Sequence, residues 1–141
     1  MYSSEENSIV IVRMQDGEEF FETLYNALRK HSVSAGVIIS SIGMLRRIEM
    51  AFYKGNSVYE EDFIEGPLEL VSLQGNVGLK EGEPFAHVHV TLTDESNRAF
   101  GGHLKKAIVQ YTNELFLRRL EKTRINRKFE ESTGLYGMFL E

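Results

Sequence analysis

Three of the four histidines in this 141-residue chain lie within seventeen residues, in the segments His87-Val88-His89 and Gly101-Gly102-His103. Three converging imidazoles suit zinc or another divalent transition metal, at nitrogen–metal distances of about 2.0–2.1 Å. Three protein ligands leave one coordination position open to water, an anion or a substrate. The spacing predicts a metal site at His87, His89 and His103. The alternative interpretation is an exposed strand face carrying two histidines, with His103 capping a turn.

The register of one hairpin decides whether the three histidines meet. His87 and His89 share a strand face, because side chains alternate, and the aliphatic residues between and after them form the buried face. A three-residue loop after this strand sets His103 opposite His87, and a five-residue loop sets it opposite His89. A four-residue loop sends His103 to the other face. A bulge at Gly101-Gly102, where glycine accepts a positive φ, would change the count.

A single amphipathic helix and a series of strands must position these residues. Apolar residues recur at helical spacing from Glu18 to about Lys30, and Asp16 followed by Glu19 resembles a capping box. We predict a helix over about 17–31, and Gly43 is predicted to separate two later strands. Short strands around one helix indicate an α+β fold with a largely antiparallel, twisted sheet. Strands are predicted at 9–12, 36–39, 45–53, 68–75, 85–93, 107–117 and 136–140.

Composition limits the class of protein. The length, 42% hydrophobic content and lack of repeats or linkers predict a single domain over 1–141. The chain has no cysteine, which excludes disulfides, cysteine-ligated metal centres and a thiol nucleophile. No apolar run approaches the ~20 residues that a membrane-spanning helix needs. The polar, acidic start is unlike a signal peptide, so a cytoplasmic location is expected, with no membrane partner.

Charge is unevenly distributed along the chain. The net charge is −5, but residues 1–97 carry 7 basic and 16 acidic side chains, whereas residues 98–141 carry 9 basic and 5 acidic ones. The basic residues form a stretch that is densest from Arg118 to Arg124 and continues to Arg127-Lys128, and within it Arg118, Arg119 and Lys122 are the candidate nucleic-acid contacts. The stretch lacks interleaved aromatic residues, which favours a solvated strand end and loop instead.

Catalytic signatures do not settle whether the chain is an enzyme. It contains no HExxH, GxSxG, GxxxxGK[ST] or GxGxxG motif. A three-histidine metal can activate water, but only Glu49, Glu69 and Asp94 are available as candidate general bases. Asp94 is better explained as a turn former, or as a carboxylate that orients a histidine ring. A binding protein is favoured over an enzyme.

Several segments, taken in order, resemble one family over nearly the whole chain. They are Ala35–Gly43, the Gly66–Asn76 segment with its Gly-Pro-Leu-Glu-Leu start, His87–Leu92, Gly101–Leu104, and an ending that contains Arg124, Phe129 and Gly134-Leu135-Tyr136. In these features the chain is similar to stand-alone prokaryotic members of the plants-and-prokaryotes-conserved (PPC) domain family, which are often labelled DNA-binding. The resemblance implies an α+β fold that assembles as a homotrimer. It also implies a metal role for His87, His89 and His103, which are motif positions of the prokaryotic members.

Two functions are therefore open. The first is a small trimeric binding protein whose three histidines hold a divalent metal, with a small anionic ligand beside it. The second is a transcription-associated regulatory factor that binds DNA or protein. The family's plant members carry AT-hooks, and this chain has none. Together with the net charge of −5, this disfavours direct, tight DNA binding.

Overall fold

In a computed structural model, residues 1–141 form nine strands and one helix. All nine strands belong to one sheet. Every pairing is antiparallel except a short parallel contact between β5 and β8, which confirms the predicted antiparallel sheet with a single helix. The elements are β1 (Tyr2–Glu6), β2 (Ile9–Gln15), α1 (Phe20–Lys30), β3 (Gly36–Gly55), β4 (Val58–Ile64), β5 (Leu68–Lys80), β6 (Glu83–Thr93), β7 (Ala99–Arg119), β8 (Ile125–Glu130) and β9 (Leu135–Leu140).

The helix α1 lies within the predicted span but has a different N-cap. Glu19 is the cap, and its carboxylate accepts a hydrogen bond from the Glu22 backbone N–H at 2.6 Å. The predicted capping box at Asp16 is wrong, because the Asp16 carboxylate instead accepts from the Tyr111 backbone N–H at 2.8 Å. That hydrogen bond lowers the pKa of Asp16. No helix of the fold has the length and apolar character needed to cross a membrane.

Four strands close a ring around the core. β3 pairs with β5 and β7, and β6 pairs with the same two strands on its other side. The helix packs against β2, β6 and β7, so its apolar face and the inward side chains of the ring share one hydrophobic core. Along β6 the buried residues alternate with more exposed ones, and the histidines therefore face outward, as predicted. The buried members of β6 are Ala86, Val88, Val90 and Leu92.

The strand β3 continues through Gly43, where the sequence predicted a break. Gly43 adopts a φ of +147°, and a Cβ atom there would lie 2.2 Å from the backbone oxygen of Thr112 on β7. Glycine therefore permits a close approach of two backbones while the strand continues across a register shift. The result is one 20-residue strand that pairs with three others, instead of two short strands.

Three strands were not predicted, and all three are polar segments with limited pairing. β1 pairs only with β2, β4 pairs only with β3, and β8 pairs with β9 and with two residues of β5. The acidic run Glu60-Glu61-Asp62 lies in β4, where exposed charges protect a sheet edge. Polar edge strands lack the apolar alternation by which strands are found in sequence.

Candidate metal centre and its cavity

The hairpin between β6 and β7 has a five-residue loop, residues 94–98. His89 is the cross-strand partner of His103, which confirms the five-residue register among those considered. Asp94 is a turn former: its carboxylate accepts from the Arg98 backbone N–H at 3.1 Å and pairs with the Arg98 guanidinium at 2.8 Å. These hydrogen bonds lower the pKa of Asp94 and keep its carboxylate in the turn.

The two glycines before His103 have unequal roles. Neither adopts a positive φ, so the expectation of a positive-φ turn or bulge at these residues is wrong. A Cβ atom on Gly101 would lie 2.0 Å from the backbone oxygen of Val90, whereas one on Gly102 would have no atom within 4 Å. Gly101 therefore allows the close approach of β6 and β7 that brings His103 beside His89.

The three imidazoles converge on one point outside the sheet. The ring centroids of His87 and His89 lie 5.0 Å apart, and those of the other two pairs lie 5.1 and 5.4 Å apart. One ring nitrogen from each of His87, His89 and His103 lies within 4.8 Å of the other two. The Nε2 atoms of His87 and His89 are 3.1 Å apart, close to the ~3.3 Å between two nitrogens on a tetrahedral zinc.

The electrostatics of the cluster favour neutral imidazoles. The pKa of His87 is lowered to about 4, first by burial and then by the charges of His103, His89 and Arg127. Burial also lowers the pKa of His103, with further contributions from His89 and Lys105. Neutral imidazole is the form that ligates metals. At neutral pH these two side chains are in the metal-binding form.

The cluster lies in a cavity of about 720 Å³ walled by aromatic rings and cations. No aspartate or glutamate lines it, and the candidate general bases Glu49, Glu69 and Asp94 all lie outside its lining. Of its three cations, Lys105 pairs with Glu61, whereas Lys80 and Arg127 have no acidic partner, so the cavity carries positive charge and no carboxylate in its lining. Besides the histidines, the side chains lining it include Phe52, Tyr53, Tyr59, Lys80, Phe85, Lys105, Arg127, Leu135 and Tyr136.

Sequence reasoning missed the contribution of the β8–β9 hairpin to this cavity. Arg127 is buried, and its Nη2 donates to Oδ1 of Asn76, the cross-strand partner of His87. Tyr136 on β9 lines the same cavity. The signal was the basic stretch that ends at Lys128, but the sequence does not show that β8 turns back beside β5.

The candidate nucleic-acid residues lie at the end of β7 and in the loop after it, away from the cavity lining. Arg118 and Lys122 are exposed. Arg119 is only partly exposed, since it pairs with Glu5 at 2.5 Å and donates to the backbone oxygen of His31 at 3.1 Å. The three side chains are near one another in sequence, but only Arg118 and Lys122 present free charge to solvent.

The curated relatives that match this chain are much longer proteins. The bifunctional protein GlmU of Synechococcus sp. strain JA-3-3Ab is 24% identical over 131 residues, and GlmU of strain JA-2-3B'a(2-13) is 25% identical over 133. Each match covers 92% of this chain, which spans about a fifth of the length of these relatives.

Solved structures match over nearly the full chain. A metal-containing protein from Archaeoglobus fulgidus is 31% identical with a TM-score of 0.87, and the match covers 96% of this chain and 95% of that one. A plant- and prokaryote-conserved (PPC) protein from Pyrococcus horikoshii is 32% identical with a TM-score of 0.84, covering 96% and 93%. A protein from Bacteroides thetaiotaomicron named "putative DNA binding protein" is 20% identical, with a TM-score of 0.89 and coverage of 98% and 96%, and shares the fold.

The profile of one domain family covers most of the chain. It matches residues 1–121, which include the helix, the β6–β7 hairpin and all three clustered histidines. Only β8 and β9 lie beyond it. With the two archaeal structures above 30% identity, this match shows that the chain belongs to the Plants and Prokaryotes Conserved (PCC) domain family.

Proposed function

We propose that this protein binds a divalent transition metal through His87, His89 and His103, as a homotrimer, and holds a small anionic ligand beside the metal. The observation that carries the proposal is the convergence of three imidazole nitrogens within 4.8 Å inside one cavity. The metal-containing relative from Archaeoglobus fulgidus, similar over 96% of this chain, supports it.

The donor set selects among metals. Magnesium and calcium require oxygen ligands, and no carboxylate lines the cavity. Imidazole nitrogens suit zinc, copper, nickel and iron, and zinc takes three protein ligands with an open fourth position. Hydrogen bonding between two imidazoles would explain the 3.1 Å contact of His87 and His89, but it gives no reason for His103 to join them. A shared metal accounts for all three.

An apolar outer face supports the homotrimer. Five exposed aliphatic and aromatic side chains lie on the adjacent strands β3, β5 and β7, and exposed apolar side chains grouped in this way are typical of an interaction site. The charged residues Arg118 and Glu114 are the cross-strand partners of Val37 and Ile42 on this face. A groove of about 700 Å³ connects Val37 and Ile39 on this face with His87 and His89. A neighbouring subunit seated on the face would thus border the metal cluster. The exposed apolar residues are Val37, Ile39, Ile42, Val71 and Phe116.

Elemental analysis of protein purified without a polyhistidine tag tests the metal site. We expect about one zinc, nickel or iron ion per chain in the wild type, and metal loss in the His87→Ala/His89→Ala variant. His31→Gln is the matched control, because His31 is the one histidine outside the cluster and contacts Ser3 and Glu5 instead. Protein that stays metal-free after incubation with each ion would contradict the proposal.

A DNA-binding role is the second candidate, and its structural support is the exposure of Arg118 and Lys122. It predicts retention on immobilised duplex DNA that weakens with salt and in an Arg118→Ala/Lys122→Ala variant. We expect no mobility shift even at low salt, because the net charge is −5 and Arg119 is paired with Glu5. A salt-dependent shift that the double variant abolishes would favour the DNA role instead.

A further inference from the structure

A buried arginine without a carboxylate partner lies in the wall of the cavity. Arg127 is 8% exposed, and its Nε atom has no hydrogen-bond partner. Its Nη atoms donate to two neutral oxygens, Oδ1 of Asn76 and the backbone carbonyl of Tyr136. Lys80 is its in-register neighbour on β5. Neither cation forms an ion pair within the chain.

This arrangement is unfavourable unless an anion joins it. A buried charge is ordinarily paired, because removing it from water costs several kcal/mol that only a counter-charge and good hydrogen bonds offset. Like charges directly opposite one another on paired strands also destabilise a sheet. Arginine stays protonated in proteins, so it cannot avoid this cost by losing its charge. One N–H on Nη1 and one on Nη2 donate within the chain, so each terminal nitrogen keeps a second N–H that suits a carboxylate or a phosphate.

The surroundings of the two cations indicate what the anion is attached to. The Lys80 ammonium lies 3.5 Å from the ring centroid of Tyr136, and the Arg127 guanidinium lies 5.7 Å from that of Phe85. Phe52, Tyr53 and Tyr59 from β3 and β4 add three further aromatic side chains to the same cavity. A cavity lined by rings and a few charged groups is typical of a site for a small organic molecule. Its aromatic walls favour a flat, apolar body.

The two cations, Arg127 and Lys80, lie in the same cavity as the histidine cluster. Arg127 donates to Asn76, and Asn76 is the cross-strand partner of His87. Both groups line one cavity of about 720 Å³, which is large enough for a ligand that spans them. Arg127 on β8 and Tyr136 on β9 lie beyond residue 121, where the family profile ends. The β8–β9 hairpin thus adds a cation and an aromatic ring to a cavity whose histidines lie within the profile.

We propose that Arg127 and Lys80 bind the carboxylate or phosphate of a small aromatic anion, whose ring lies among the cavity's aromatic side chains and whose far end faces the metal. The metal end of this arrangement rests on the proposed function. The anion end rests on Arg127 and Lys80 alone. The two can therefore fail separately.

Calorimetric titration of the full-length protein, metal-free and zinc-loaded, tests the subsite. The probes are benzoate, phenyl phosphate, acetate and neutral benzamide. We expect benzoate or phenyl phosphate to bind more tightly than acetate, and benzamide to bind least. Which of the two aromatic anions binds more tightly identifies carboxylate or phosphate as the preferred group. Arg127→Gln should lower the affinity for the tighter-binding aromatic anion by about tenfold to a hundredfold, as expected for loss of a hydrogen bond to a charged group.

Matched variants keep the test decisive. Lys128→Gln removes an exposed cation from the next position, which is paired with Glu141, and should leave anion affinity unchanged. Lys80→Gln should lower the anion affinity while the buried guanidinium stays in place. This variant therefore tests the proposal if Arg127→Gln folds poorly. Zinc titration of each sample reports the metal end independently.

Three results would overturn the proposal. The first is that none of the aromatic anions binds the wild type at millimolar concentration. The second is that Arg127→Gln and Lys80→Gln bind as tightly as the wild type. The third is that Arg127→Gln changes the oligomeric state while the wild type shows no heat of anion binding. The guanidinium would then be paired with a carboxylate of a neighbouring subunit instead of a ligand. Anion binding that depends on Arg127 in protein that takes up no zinc would support the subsite and contradict the metal proposal.

Discussion

The histidine cluster could be predicted residue by residue, whereas the rest of the cavity could not. His87 and His89 are two apart, so strand alternation alone sets them on one outward face. His103 needed a hairpin register that the sequence left open between two odd loop lengths. Arg127 could not be predicted, because it reaches the site through the parallel contact of β8 with β5, and no local pattern specifies a contact between strands so distant in sequence.

The depressed pKa of His87 predicts an acid-sensitive metal-free protein. His87 titrates near 6.5 in an unfolded chain but near 4 in the fold. The unfolded state therefore binds more protons between these pH values, and the stability contributed by neutral His87 is present above pH 6.5 and lost as pH falls towards 4. We expect the free energy of unfolding to fall by about 1–2 kcal/mol over this range, allowing for solvent screening at a half-buried site.

Urea unfolding of chelator-treated protein at pH 7 and pH 4.5 measures this effect. His87→Gln should show a smaller loss between the two pH values, because a glutamine has no proton to gain. The lowered pKa of His103 acts in the same direction, so the variant should retain part of the pH dependence. Equal pH dependence in wild type and variant would contradict the assignment of the effect to His87.

At the scale of elements, two glycines allow neighbouring strands to approach closely, where the sequence suggested a strand break and a bulge. Gly43 and Gly101 both lie where a Cβ atom would meet a backbone oxygen of β7 or β6, at 2.2 and 2.0 Å. A sequence shows that glycine is present but not which of its two properties, backbone freedom or lack of volume, is needed. The strand break predicted at Gly43 and the bulge considered at Gly101 both assumed the first property. The structure uses close approach at both sites, and only Gly43, with a φ of +147°, uses backbone freedom as well.

The two glycines before His103 give a matched test of this interpretation. Gly101→Ala should destabilise the protein by about 2 kcal/mol or more, because β6 and β7 must separate to admit the Cβ atom. Gly102→Ala should be tolerated within about 0.5 kcal/mol, since a Cβ atom there meets nothing within 4 Å.

Thermal unfolding and zinc affinity, measured on both glycine variants, report the two consequences. Gly101→Ala should also weaken zinc binding, because the separated strands move His103 away from His89. If the two alanine variants are equally stable, the close approach of Gly101 to Val90 is not what the hairpin requires.

At the scale of the whole molecule, the sequence predicted the fold class but not the shared surface of β3, β5 and β7. An outward apolar residue on one strand is ordinary, and it forms a patch only when distant strands become neighbours. Val37 and Ile39 come from β3, Val71 from β5 and Phe116 from β7. This arrangement follows from the long strand β3, which pairs with both β5 and β7. The sequence predicted two short strands separated at Gly43 in place of β3, and so gave no sign of the shared surface.

The final prediction concerns the oligomeric state, and it rests on the exposed apolar face of β3, β5 and β7. A charge placed in the centre of a buried interface would be desolvated without a partner, so Ile39→Glu should convert a homotrimer into monomers. Val58→Glu is the matched control, because Val58 is 56% exposed, close to the 54% of Ile39, but lies on β4 away from this face. Light scattering after size-exclusion chromatography distinguishes trimer from monomer. A wild type that is monomeric at high protein concentration would remove the trimer from the proposed function and leave the metal and anion sites to be judged on one chain alone.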